Sequence, residues 1–273
     1  NTALHLLGSQ NDMATIRLTF TDWLFENKEA MGEGPGLWCP LHIILVSVML
    51  LWLVASFFLF RKHKDFAKKF TFALCVVMPS VRVLRMIVQL VSGDFSFVEV
   101  LPWHLCHLMS FVFPIFYFTK TKKFFLPVLV ASFFGGVITF IFGDYYYLST
   151  ISFYHVESII LHYALATVVI ACIADGYFTV RVKDFWQAYL GMFLIALWSS
   201  LGNLLVDGAN FLYLKENGLP FTLFGLHFYF TYFVLVVVCS VVAISPFAIA
   251  EHIKKKKRTP FDIIMSVVTD ETF

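Results

Sequence analysis

Long apolar runs separated by short polar segments set the rhythm of this chain. A helix needs about 20 mostly apolar residues to cross a bilayer. Seven runs approach or meet that length: roughly 41–60, 70–91, 101–118, 124–142, 157–174, 185–205 and 222–245. The short connections at 93–99 and 119–123 make the helices that flank them antiparallel neighbours. MATIRLTFTDWLFEN at 13–27 is too polar to span, yet Ile16, Phe20, Trp23, Leu24 and Phe25 recur at near-helical spacing. That pattern predicts a helix lying in the membrane interface. GEGPG at 32–36 then turns the chain into the first span.

Composition sharpens this picture. Of 273 residues, 59% are hydrophobic and 14% charged, with mean hydropathy +0.80, which excludes an ordinary soluble domain. A net charge of +2 argues against a nucleic-acid partner. Basic tracts bound four of the runs: RKHK at 61–64, KK at 68–69, KTKK at 120–123 and KKKKR at 254–258. With the N-terminus outside, the inner segments hold fifteen Lys/Arg and the outer ones only Arg17, Lys28 and Lys215. Basic loops stay cytoplasmic. The expected fold is all-α: a polytopic seven-transmembrane-helix bundle, N-terminus outside and C-terminus cytoplasmic. Residues 1–40 form an extracellular segment, 41–246 the transmembrane domain and 247–273 a basic cytoplasmic tail. The first thirty residues show no signal-peptide pattern. The five cysteines are scattered and include no CxxC pair, so neither a disulfide framework nor a zinc ribbon is supported.

Ionisable residues inside a membrane are costly and mark function by default. At 1.5 Å per residue, Cys106, His162 and His227 each lie about 8 Å below the outer end of their spans, and Arg85 rises to the same depth. His42 and Asn203 are close to that layer. Six spans thus bring polar side chains to one level in the outer half, which predicts a polar cavity open toward the outer leaflet. LPWHLCHLMSF at 101–111 supplies the densest part. Pro102 suits the first helical turn, placing Cys106 about one turn in, where the helix dipole favours a thiolate. His104 and His107 share a face at i, i+3, while Cys106 points elsewhere, so one metal ion does not readily take all three. A His104/His107 pair joined by His155 or His162 remains a zinc option.

Nucleophilic catalysis needs a thiol, a base and an oxyanion stabiliser. Cys106 is the candidate nucleophile, His162 the best-placed base, and His155 stands two turns above it. Glu157 or Asn203 can orient a histidine. Arg82 and Arg85, at i, i+3, read either as a phosphate clamp or as an ion pair with Glu157 or Asp207. Glu99 reads as a cap on span three, GDYYY at 143–147 as an interfacial aromatic belt, and Gly135–Gly136 as a close-packing point between helices. Pro79 and Pro114 are expected to kink their helices. His5, His63 and His252 fall outside the spans.

The stretch LPWHLC, with PLH at 40–42 and FYHVESIILH at 153–162, resembles the bacterial YwaF-like membrane proteins and the related transmembrane protein 164 family. The resemblance implies a cysteine-dependent lipid acyltransferase, with the nucleophile on Cys106 and the later family histidine on His162. The leading expectation is a phospholipid acyltransferase or transacylase without a cofactor. It has Cys106, His162, His104 and His155 as catalytic candidates, and Arg82, Arg85, His107, Asn203, His227 and His42 lining the site for a phospholipid or lysophospholipid. The competing readings are a zinc-dependent intramembrane lipid hydrolase and a non-catalytic lipid-binding protein or transporter.

Overall fold

The computed structural model describes residues 20–25, 34, 36, 38–93, 95, 100–142 and 151–214, with isolated positions at 245, 248–250 and 253. No strand occurs among the described residues. Helix α1 (Phe20–Phe25) precedes α2 (Pro40–Lys62), α3 (Lys64–Ser92), α4 (Leu105–Phe118), α5 (Phe125–Phe142), α6 (Phe153–Ala174) and α7 (Phe185–Leu205). The ranges of α2, α3, α5, α6 and α7 are long and apolar enough to cross a membrane, while α4 is shorter. Apart from Ser245, the expected seventh span, 222–245, lies outside the described residues, as do Glu99, His227 and GDYYY.

Helix α6 is the hub and packs against α2, α3, α4 and α5. Its most apolar stretch is 61% buried inside the protein, against 22% for α2 and for α3, which therefore offer most of their surface to lipid. The main core gathers Met78 and Cys75 of α3, Phe113 of α4, Leu129 of α5 and Leu161, Leu165 and Val168 of α6. At one end the tyrosines tie four elements together. Tyr177 donates from its hydroxyl to the Tyr117 carbonyl at 3.2 Å, and Tyr117 to the Lys68 carbonyl at 3.5 Å. Lys122 reaches the Tyr177 carbonyl. Of the segment expected at the interface, 13–27, the described part is α1, which packs on α3 and α6, with Trp23 edge-on to Phe153 at 5.8 Å.

Three boundaries depart from the hydropathy reading. Helix α3 starts at Lys64 rather than near 70, carrying Lys64, Lys68 and Lys69 in its first turns. Helix α6 starts at Phe153 rather than near 157, because Ser152 and His155 form a reciprocal cap. The His155 N–H donates to Ser152 Oγ at 3.4 Å and the Ser152 N–H to His155 Nδ1 at 3.2 Å. Helix α4 starts at Leu105, not 101, and Pro102 lies outside it. The carbonyls that would begin an earlier helix are already taken: Trp198 Nε1 donates to the Pro102 oxygen at 2.9 Å, and Ser199 Oγ to the Trp103 oxygen at 2.6 Å. Pro79 and Pro114 both lie within helices.

Candidate functional site

The non-helical turn 101–104 sets the site. Trp103 is buried at 2% exposure and stacks near Trp198 with ring centroids 4.6 Å apart. Gly202 permits this: a Cβ there would come within 2.5 Å of the Trp103 ring. Trp103, Trp198, Ser199 and Gly202 thus lock the entry to α4. None of them carries a charge that would have singled it out in the sequence. Irregular backbone at membrane depth is tolerated where protein buries it, and these four residues supply that cover.

His104 becomes the N-cap of α4, and no side chain caps the helix. The first bond from that turn is the Leu108 N–H to the His104 oxygen, at 2.9 Å. The N–H groups of Leu105, Cys106 and His107 precede it. Cys106 is thus the second residue of α4, nearer the positive end of the helix dipole than its expected place a full turn in. It is 9% exposed, while His104 and His107 are half-buried with rings 5.4 Å apart, edge to face.

Gly135 and Gly136 of α5 divide the space between α4 and α6. A Cβ on Gly135 would sit 3.4 Å from the Leu105 side chain and 3.8 Å from Cys106 Cα. One on Gly136 would lie 2.8 Å from the His162 carbonyl oxygen and 2.9 Å from the Ala166 nitrogen. Two adjacent glycines therefore seat the turn of Cys106 on one side and the turn of His162 on the other.

His162 is buried, and its Nδ1 lies 2.6 Å from the Ser158 carbonyl oxygen. A carbonyl only accepts, so Nδ1 carries the hydrogen and the neutral ring presents Nε2 as an acceptor. His155 has the opposite arrangement. Its Nδ1 accepts the Ser152 N–H and meets Ser152 Oγ at 2.6 Å, so its neutral form carries hydrogen on Nε2. Two histidines on one helix are thereby held in opposite tautomers.

Both arginines bind one carboxylate. Arg82 donates to Glu157 Oε1 at 3.0 Å and Arg85 to Oε2 at 2.9 Å, with Glu157 1% and Arg82 3% exposed. The ion-pair reading of this pair holds with Glu157, not Asp207. Arg85 also lies over the Tyr154 ring at 4.4 Å. Among the described residues, two cations against one anion leave the cluster with a formal charge of +1, and the buried Arg82 Nε has no hydrogen-bond partner. Arg82 and Glu157 are the charged neighbours of Cys106, and Arg82 and Arg85 those of His104 and His107.

The structure thus gathers Arg82, Arg85, His104, Cys106, His107 and His162. Asn203 joins at one remove: its amide donates to the Phe211 carbonyl at 3.1 Å and accepts the Phe211 N–H at 2.6 Å. This folds the chain after α7 back so that Phe211 packs edge-on to His104 at 5.0 Å. The next residue, Leu212, has φ of +56°, a left-handed conformation uncommon for a branched side chain. His42 stands apart, bridging the Trp38 N–H (3.1 Å) and the Phe140 carbonyl (3.1 Å). Among the described residues, no three His, Cys, Asp or Glu side chains converge as metal ligands, so His104 and His107 acquire no third donor from His155 or His162.

The sequence profile of the TMEM164 family matches residues 37–248. No curated protein and no solved structure matches the chain. The match covers more than three quarters of the sequence and takes in every helix from α2 to α7, so this multi-pass membrane protein, together with its buried layer of histidines, arginines and Cys106, belongs to the TMEM164 family.

Proposed function

We propose that this chain is a membrane-embedded phospholipid acyltransferase or transacylase in which Cys106 is the nucleophile and His162 its base. The observation that carries the reading is the seating of both turns on Gly135–Gly136, with Cys106 at an uncapped helix start and His162 holding Nε2 as an acceptor. The TMEM164 family match supports the reading, which takes the chain as a YwaF-like bacterial member in the plasma membrane.

In this reading the Cys106 sulfur attacks the carbonyl carbon of a lipid ester as His162 Nε2 takes the thiol proton. The first-turn N–H groups of α4, with His104, stabilise the oxyanion. The C–O bond to the lysolipid breaks, and the imidazolium returns its proton to the leaving alkoxide. An acyl thioester remains on Cys106. The hydroxyl of an acceptor lysolipid, deprotonated by His162, attacks the thioester, and the thiolate leaves and regains the proton. Arg82 and Arg85, with one positive charge in excess, hold the lipid phosphate. His107 lines the same site, and Asn203 supports it through Phe211.

The test is acyl exchange between a phospholipid donor and an isotope-labelled lysophospholipid, using purified protein in nanodiscs. Exchange should vanish in Cys106→Ala, and intact mass should reveal a hydroxylamine-sensitive acyl adduct on the wild type alone. Loss of the general base in His162→Ala should slow exchange by about 10²–10⁴-fold. Full exchange by Cys106→Ala would sink the covalent mechanism.

A further inference from the structure

At the end of the bundle opposite Cys106, α2 and α3 are joined by the single residue His63. Arg61, Lys62, His63, Lys64, Asp65 and Phe66 line a cavity there of about 480 Å³. It is an open concavity on the surface, and all six of its residues are exposed. Three of its six residues are permanent cations. Among the described residues, Arg61, Lys62 and Lys64 make no ion pair, while the Asp65 carboxylate is turned to Lys68 at 3.7 Å.

The backbone adds to that charge. His63 is the N-cap of α3 and offers no side-chain cap, and the first bond into the helix is the Ala67 N–H to the His63 oxygen at 3.0 Å. The N–H groups of Lys64, Asp65 and Phe66 therefore remain as donors at the positive end of a 29-residue helix. Arg61 and Lys62 also face the carbonyl end of α2, but its partial charge is only about −0.5, which leaves most of theirs unbalanced.

The surroundings decide what anion fits. Phe58, Leu59 and Phe66 are exposed beside the cavity, and α2 and α3 are the helices that face lipid most. A free phosphate has no use for an apolar wall, whereas a phospholipid places its chains against one. We propose that this hairpin is a binding site for the phosphate headgroup of an anionic glycerophospholipid, in the leaflet that the charge bias assigns to the cytoplasm. It is separate from the Cys106 chamber and independent of the acyltransferase reading.

The experiment compares full-length protein in nanodiscs of phosphatidylglycerol mixed with phosphatidylcholine, and of phosphatidylcholine alone. The readouts are the melting temperature and the lipids retained in native mass spectrometry. Phosphatidylglycerol should raise the melting temperature of the wild type and stay bound. Both effects should disappear in Arg61→Gln/Lys62→Gln/Lys64→Gln, whose melting temperature in phosphatidylcholine alone should match wild type. The control Lys120→Gln/Lys123→Gln/Lys183→Gln removes three charges from the same end of the bundle and should keep both effects. Equal loss in the two triple variants would overturn the proposal in favour of diffuse surface charge. Equal stabilisation of detergent-solubilised protein by inorganic phosphate would overturn the lipid assignment. No preference for phosphatidylglycerol in the wild type would overturn it outright.

Discussion

Hydrogen on Nδ1 in His162 and on Nε2 in His155 gives two residues of the same type different chemistry. Only the first offers a lone pair at Nε2, so substituting the two should separate base from cap. His162→Gln should abolish selective labelling of Cys106 by a lipid-like thiol electrophile. His155→Gln should keep most of that labelling and lose about 1 kcal/mol of stability with the cap, a split read by adduct mapping beside thermal unfolding. Glu157 sets a second residue-scale expectation. Removing its charge in Glu157→Gln leaves two arginines facing each other, one of them fully enclosed. Breaking a buried pair this way costs about 3–5 kcal/mol. Thermal unfolding in detergent should show that loss, and replacing all three members by Met should recover much of it. If Glu157→Gln melts with the wild type, the triad does not hold the bundle together.

At the scale of helices, the glycine pair on α5 makes the sharpest demand. Gly136→Ala forces α5 and α6 apart at the His162 turn, since the new methyl meets backbone rather than a movable side chain. The cost should be about 1–3 kcal/mol, with a fall in Cys106 labelling. Gly93→Ala, which meets open space after α3, should leave labelling unchanged despite its φ of +84°. Hydropathy located α2, α5 and α7 well, because lipid contact writes itself directly into composition, and missed only the charged first turns of α3. It failed at 101–104, where an apolar run reads alike whether helical or not. The break there depends on Trp198 and Ser199, about 96 positions away. The ionisable residues were legible one by one, since each stands out in an apolar run. Their pairing was not: nothing local announces that Glu157 serves two arginines, or that Asn203 clips Phe211. The start of α6 did leave a trace, a serine three residues before a polar side chain able to return the cap.

Across the whole molecule, polarity divides between two ends. One holds the buried layer around Cys106; the other holds the basic turns at 61–64 and 120–123 and the Tyr117–Tyr177 ties. If the charge bias sets orientation, a cysteine at His63→Cys should react with a membrane-impermeant maleimide only after the cells are opened. The four described native cysteines are all buried and should contribute little background. Labelling in intact cells would invert the topology and move Cys106 to the cytoplasmic leaflet.

The late start of α4 has a consequence for the bilayer itself. Fourteen residues rise only about 21 Å, against a hydrocarbon core of about 30 Å. If α4 crosses as expected, the remainder is made by the pinned turn before the helix, whose backbone Trp198 and Ser199 satisfy and whose half-buried histidines draw headgroups downward. Membranes accommodate such a shortfall by local thinning. The ester groups of a phospholipid sit just beneath its headgroup, so a dimple over the turn would bring them level with the sulfur. The lipid would then meet Cys106 by drifting sideways in its own leaflet, with no need to be lifted out of the membrane.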